Sequence, residues 1–481
     1  MNSVSSIWPY LAGAVDVALA VLASGHAILH KREVRAAIGW VGLAWLAPFA
    51  GPLLYFLLGV NRISRRGTQI QETMQRLSAG RAVGGGAASE LLPEPQIEES
   101  LRPVESVVNR VTRASLTTGN RVEPLIDGDE TYPSMVSAID EARKSVGLCT
   151  YIFDYDAAGR PVVDALERAV RRGVAVRVLL DGAGALYGKP RTHHVLRERG
   201  IPAATFLSRL LPWKMPYLNL RNHRKILVVD GRTGFTGGMN IREGGLRSVP
   251  SPHRTRDLHF RLEGPVVLHL VDAFARDWAF TTGERLEGEA WHAVPEAAGS
   301  TASRGIPDGP DDDFERLHWT LLAGLAGAQR HVRILTPYFL PDQALVSALN
   351  VTALRGVRLD IVLPEANNLR VVGWAMRRQL GQVMESGCRV WLTPPPFDHS
   401  KLMLVDDSWS LFGSGNWDPR SLRLNFEFNV ECYDRTLTTR LDELVHDRIA
   451  RARPLAISEL ERRSLPVKLR DGVAWLFSPY L

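Results

Sequence analysis

Cysteine is scarce: Cys149, Cys388 and Cys432 are the only three in 481 residues, odd in number and widely spaced. That excludes a disulfide framework and predicts reduced structural thiols, which points to a reducing compartment for the folded part. Also lacking is any local cluster of His, Cys and carboxylates with zinc-ligand spacing. No Lys or Arg precedes the first long apolar run, which argues against a cleaved secretory signal. Basic residues interleaved with aromatics, the platform on which single-stranded nucleic acid stacks, are missing too, and nucleic acid is not the expected partner. The formal charge of +6 favours anionic partners, although charge alone suits phospholipid headgroups and nucleic acid equally.

Apolar length is abundant at the start. Residues 7–29, IWPYLAGAVDVALAVLASGHAIL, and 36–60, AAIGWVGLAWLAPFAGPLLYFLLGV, are each long enough to cross a bilayer. The expectation is a retained transmembrane hairpin within residues 1–66, with Trp8, Tyr10, Trp40 and Tyr55 near the interfaces. Asp16 and His26 interrupt the first span and are assigned no chemistry. Lys31, Arg32 and Arg35 between the spans are matched by Arg62, Arg65 and Arg66 after them, so charge does not set the orientation. Residues 67–119, which include SAGRAVGGGAASELLPEPQ, read as a flexible linker.

The remainder is written twice. YPSMVSAIDEARKSVGLCTYIF and VVDALERAVRRGVAVRVLLDG each read as a helix and then a strand. FERLHWTLLAGLAGAQRHVRILTPYFLPD and ALVSALNVTALRGVRLDIVLP repeat the scheme. RRGVAVRVLLDG aligns with LRGVRLDIVLP, and TYIF with TPYF. This order predicts an α/β fold: a duplicated domain of mostly parallel sheets covered by helices, with halves at 120–300 and 301–455. A basic and then aromatic tail, 456–481, is expected to lie on a membrane surface, as is RLLPWKMPYLNL at 209–220.

Each half leads to one motif. NHRKILVVDGRTGFTGGMN, from Asn222, and DHSKLMLVDDSWSLFGSGN, from Asp398, share spacing while the intervening side chains differ. Period two in an extended chain puts His223 and Lys225 on one face, and His399 and Lys401 likewise. Two imidazoles and two ammonium groups at a junction of related halves suit phosphoryl transfer. Lys225 and Lys401, with Asn240 and Asn416 as neutral donors, can hold the charge that develops on non-bridging oxygens. One histidine can attack phosphorus while the other moves the proton of the leaving and then the entering oxygen. Asp257 and Glu427 follow their motifs at similar distances and are the expected carboxylates that fix the ring tautomers. Asp230 and Asp406 end the apolar strand, where either a catalytic or a turn-forming role fits. Gly237, Gly238, Gly413 and Gly415 permit close backbone approach beside the donors.

On these residues the sequence resembles the phospholipase D superfamily, whose His-x-Lys-x4-Asp-x6-Gly-[Gly/Ser]-x-Asn signature stands at His223–Asn240 and again at His399–Asn416. GPLLYFLLG, LNLRNHRKILVVDG, TPYFLPD and GSGNWDPRSLRLNFE make it more similar to the bacterial cardiolipin synthases over nearly the whole chain. The resemblance implies two pseudo-twofold related mixed sheets flanked by helices, a phosphohistidine intermediate, and no metal or other cofactor. It further implies His223 as nucleophile and His399 as acid and base, acting on phosphatidylglycerol as both donor and acceptor in the bacterial cytoplasmic membrane, the catalytic part facing the cytoplasm. The same residues would also serve a hydrolase that releases phosphatidic acid. Cys149 departs from the acidic residue expected at its position, and residues 364–397 diverge from the family pattern.

Overall fold

The computed structural model describes residues 4–31, 33–60, 73, 95, 97–186, 191–207, 220–294, 296–310 and 315–478. These fall into two compact units, one up to Arg66 and one from Gly67. Segment 209–219, expected at a membrane surface, lies outside the described residues.

In the first unit one helix, Val4–His30, contains a stretch, Trp8–His30, with mean hydropathy 1.7; among the described residues no other helix is both long and apolar enough to cross a membrane. The second apolar run is not a single span-length helix. It divides into Val34–Leu46, Ala50–Leu54 and the wider turn Tyr55–Gly59. Pro48 and Pro52 supply no amide hydrogen, and Phe49 between them adopts a left-handed φ of 56°. Two polar residues of the first helix serve this break. Asp16 accepts the Phe49 N–H at 2.6 Å, and His26 Nδ1 lies 2.7 Å from the Tyr55 hydroxyl.

In the second unit a helix, Arg102–Thr112, stands inside the stretch expected to be linker. Leu101, Val104 and Val108 recur at i, i+3 and i+7, are at most 1% exposed, and join the core of the second half. Their burial contributes about 1.5–3 kcal/mol each, which fixes this end of the segment to the fold.

Among the described residues a sixteen-stranded mixed sheet runs through both halves. Thr117–Ile126 and Thr301–Asp308 lie antiparallel at its centre. Outward from that seam the first half places Leu258–Glu263, Thr233–Gly237, Ile226–Val229, Ser145–Thr150, Ala175–Asp181 and Ala203–Phe206. The second half repeats the order with Asn425–Tyr433, Trp409–Gly413, Leu402–Val405, His331–Leu335, Arg358–Pro364 and Arg389–Thr393. Only the outer three strands of each set are mutually parallel, as helix–strand alternation predicts. The expectation of mostly parallel sheets is therefore corrected, because each histidine motif folds into an antiparallel hairpin. The two expected sheets also join into one. Phe260 and Phe412, both 1% exposed, stack across the seam with ring centroids 3.5 Å apart.

Candidate active site

The strands Ile226–Val229 and Leu402–Val405 are buried at every position, which anchors each motif at its C-terminal end. The N-terminal end is held by the opposite half. Arg221–Asn222 pairs in parallel with Asn425–Phe426, and the His223 N–H donates to the Phe426 carbonyl at 2.9 Å. Phe397–Asp398 pairs in the same way with Thr255–Arg256, and the His399 N–H donates to the Arg256 carbonyl at 2.8 Å. In each case the next residue of the partner strand is a carboxylate. His223 Nδ1 is 3.0 Å from both oxygens of Glu427, and His399 Nδ1 is 2.8 Å from Asp257 Oδ2. Each half thus supplies the carboxylate that orients the histidine of the other.

The lysines complete the cluster. Lys225 Nζ donates to the His223 carbonyl at 2.7 Å, and Lys401 Nζ lies 2.9 Å from His399 Nδ1 while also donating to the His399 carbonyl. Both lysines are at most 4% exposed. Burial drives the electrostatics. It lowers both imidazoles well below their ordinary range, with Lys225 and Lys401 adding to the effect, so both rings are neutral at pH 7. It pushes the Asp257 and Glu427 carboxyls up to about 7 against the pull of the lysines. It brings Lys225 down to about 7 and Lys401 to about 8 against the pull of the carboxylates. An arriving phosphodiester anion favours the charged lysines.

The two halves are not identical here. Glu427 receives the Ser414 hydroxyl at 2.5 Å, the Ser421 hydroxyl at 2.9 Å and Asn425 Nδ2 at 3.1 Å. At the position matching Ser414 the first half has Gly238, where a Cβ would stand 2.3 Å from Asp257 Oδ1. The shorter carboxylate goes with the glycine and the longer with the serine. Gly413, at φ 158°, brings the chain so close to its neighbour that a Cβ would lie 2.4 Å from the Phe428 carbonyl oxygen.

Of the remaining expected residues, Asn416 donates from Nδ2 to Ser421 Oγ at 3.1 Å, and its buried Oδ1 has no hydrogen-bond partner among the described residues. Asn240 accepts the Ile152 N–H at 3.1 Å. Asp230 and Asp406 are elsewhere, and their expected catalytic role is withdrawn. They sit at the opposite ends of the motif strands, in turns with φ 52° and 50°. Asp230 accepts the amides of Arg143, Lys144 and Ser145 at 2.7–2.9 Å, and Asp406 those of Gln329, Arg330 and His331 at 2.7–3.0 Å. Asp406→Ala is therefore expected to lower stability by about 3 kcal/mol, since charged acceptors of several amides are lost, while turnover per folded molecule changes less than about threefold. Chemical denaturation paired with active-fraction-corrected rates checks this.

Sequence reasoning missed the aromatic walls and the clamp. The Tyr151 ring meets His223 edge-on at 5.1 Å, and the Tyr338 ring meets His399 at 6.3 Å. Their signal was the tyrosine in each of TYIF and TPYF, one register apart. Arg224, 4% exposed, pairs with Asp277 at 2.6 Å and donates to the Glu427 and Asp308 carbonyls, both at 3.0 Å. Ser400 occupies the matching position of the second motif, so the repeat gave no hint of this clamp. Cys149 is buried, with its Sγ 3.6 Å from Asn222 Oδ1, and burial pushes its thiol well up.

A duplicated sheet that carries two His-Lys motifs and exchanges carboxylates across its seam defines a phospholipase D-like enzyme. The family model for the cardiolipin synthase, PLD-like domain matches residues 135–278 and 321–448, and that for the phospholipase D-nuclease N-terminal region matches 18–59. Cardiolipin synthase A of Pseudomonas putida (strain GB-1) is 30% identical over 480 residues, 98% of each chain. The major cardiolipin synthase of Bacillus subtilis (strain 168) is 29% identical over 496 residues, the whole of both chains. The crystal structure of a phosphatidylserine synthase from Haemophilus influenzae Rd KW20 matches with TM-score 0.60 at 15% identity, covering 79% of this chain and all of that one, and shares the fold. The chain belongs to the cardiolipin synthase family, and it is a phospholipid phosphatidyltransferase.

Proposed function

We propose that the protein condenses two phosphatidylglycerols into cardiolipin and releases glycerol. His223 Nε2 attacks phosphorus and a P–N bond forms; His399, which takes up a proton as the phosphodiester anion enters beside it, gives that proton to the leaving oxygen as the P–O bond to the glycerol headgroup breaks. The terminal hydroxyl of a second phosphatidylglycerol then gives its proton to His399 and attacks phosphorus, and the P–N bond breaks. Lys225, Lys401, Asn240 and Asn416 hold the non-bridging oxygens. The observation that carries this reading is the pairing of two histidines, each with Nδ1 on a buried carboxylate. With Nδ1–H directed at Glu427, the Nε2 lone pair of His223 is the nucleophile. The Nδ1 of His399 faces both a carboxylate and an ammonium, which suits a ring that must gain and lose protons. The catalytic unit acts on the cytoplasmic face of a bacterial inner membrane, with the chain crossing it more than once; labelling of cysteines introduced on that unit in intact cells tests the orientation.

The test of the reaction is mass spectrometry of products from purified protein and phosphatidylglycerol in mixed micelles containing a chelator. Cardiolipin with glycerol is the expected outcome. Phosphatidic acid alone would make water the acceptor and overturn the transferase reading.

The same groups set a narrow pH optimum. Below about pH 7 Asp257 and Glu427 take up protons and release Nδ1–H; above about pH 7–8 the lysines lose the charge that binds phosphate. A bell-shaped kcat/KM profile is expected. In Lys401→Ala its acid limb moves up, because the Lys401 charge holds the Asp257 pKa down. A flat profile from pH 5.5 to 9 contradicts this account.

A further inference from the structure

Helix Leu465–Leu476 packs on helix Arg370–Met384 through a side that includes buried Asp471 and Ala474. The other side carries Leu465, Leu469, Val473 and Leu476, which are 68%, 61%, 54% and 67% exposed. Their spacing of four, four and three makes one continuous apolar stripe, wider than scattered surface leucines would give. Arg470 lies 4.4 Å over the Trp374 ring and Arg378 lies 5.9 Å from the centre of the Trp475 ring, so the helices run in the same direction and their N-terminal ends lie together. At that end Leu369 and Val371 are also exposed.

Two further observations say what covers it. On the same two helices Arg370 and Lys468 are exposed with no carboxylate in ion-pair range among the described residues, while Arg377 is balanced in part by Glu459. A water-facing helix pair would be expected to balance such charge, whereas lipid phosphates supply the counter-charge themselves. The same helix end is also tied to the catalytic cluster. Asn368 accepts the Tyr338 hydroxyl at 2.9 Å, Asn367 donates to the Pro337 carbonyl at 3.2 Å, and the Tyr338 ring is the wall of His399.

We propose that this two-helix face seats in the surface of an anionic phospholipid bilayer and so brings the histidine pair to headgroup level. The leucine stripe sinks among the upper acyl carbons, the Arg–Trp pairs lie at the interface, and the cations meet phosphates. The inference rests on the reading of a bilayer phospholipid as substrate.

The full chain is tested in proteoliposomes of phosphatidylcholine with phosphatidylglycerol. Cys149, Cys388 and Cys432 are all buried, so a Leu469→Cys variant takes an environment-sensitive fluorophore selectively. Val294→Cys is the control: Val294 is 70% exposed and adjoins the Asp230 turn, away from the histidines. The label at Leu469 should be blue-shifted and quenched by shallow nitroxide lipids at least about threefold more than the label at Val294, and less strongly without phosphatidylglycerol. Equal quenching at both positions overturns the proposal. So does a blue shift without quenching, which would mean that protein, such as a second copy, covers the stripe. The paired Leu469→Glu and Val473→Glu variant should lose at least about tenfold of its turnover on vesicles and keep turnover within about twofold on short-chain monomeric lipid. Equal loss on both substrates also counts against the proposal. Quenching needs no turnover, so it still reports on the docking face if the wild type makes no cardiolipin.

Discussion

His223→Ala is expected to give no covalent intermediate and no product, a loss on the order of 10⁴-fold or more, because the attacking atom itself is removed. His399→Ala is expected to lose about as much steady-state turnover but for a different reason. The first displacement needs a proton on a glyceryl oxygen, and the second needs a base for the incoming hydroxyl. A donor with a nitrophenyl leaving group separates the two, since nitrophenolate departs without a proton. With it, His399→Ala should release one burst of nitrophenol per site and then stall with phosphorus bound to His223, as a mass shift on the His223 peptide would show. His223→Ala should give no burst. A burst from His223→Ala together with none from His399→Ala would exchange the two roles; steady turnover by either variant on phosphatidylglycerol would remove the two-histidine mechanism.

The crossed carboxylates give the second large effect. Glu427→Gln turns a carboxylate that accepts Nδ1–H into an amide that can donate to Nδ1, which favours the tautomer with the nucleophilic nitrogen blocked. A fall on the order of 10³- to 10⁴-fold is expected, as for loss of an orienting carboxylate beside a catalytic imidazole. The location of the defect is the more specific prediction. Glu427 belongs to the second half of the chain, yet Glu427→Gln should abolish the nitrophenol burst, because the ring it holds is His223. Asp257→Asn, in the first half, should preserve the burst and impair only release of the intermediate, because it holds His399. If each carboxylate served the histidine of its own half, the two variants would exchange phenotypes. Stopped-flow release of nitrophenol decides between the arrangements.

Much of this was legible because the chain repeats itself. A single His-x-Lys is uninformative, but two copies with glycine and asparagine at equal offsets drew attention to His223, Lys225, His399 and Lys401, and all four meet in one cluster. The same repetition misled at Asp230 and Asp406. They recur with the motif because both hairpins need a left-handed turn that gathers three amides, which is a demand of folding rather than of chemistry. Helix–strand alternation correctly indicated the outer parallel strands. It missed the antiparallel inner strands, since an apolar run reads alike in either direction of pairing. The apolar run from residue 36 met the length test for a span, but Pro48 and Pro52 break its helix.

The sequence by itself determined the duplication and singled out the two histidines, the two lysines and the two carboxylates that the structure gathers, because each of these is a residue type at a fixed offset and needs no knowledge of the path between. It could not determine which carboxylate serves which histidine. That choice was made by the pairing of Arg221–Asn222 with Asn425–Phe426 and of Phe397–Asp398 with Thr255–Arg256, contacts between residues about 140 to 200 positions apart. Arg224 and Ser414 acquired their roles in the same way, one clamping the strand of the opposite half and the other donating to a buried carboxylate. The burial that brings the four charged groups to pKa values of about 7 to 8 is likewise a property of the closed seam. Either half alone would leave its histidine without its carboxylate and its lysine in water.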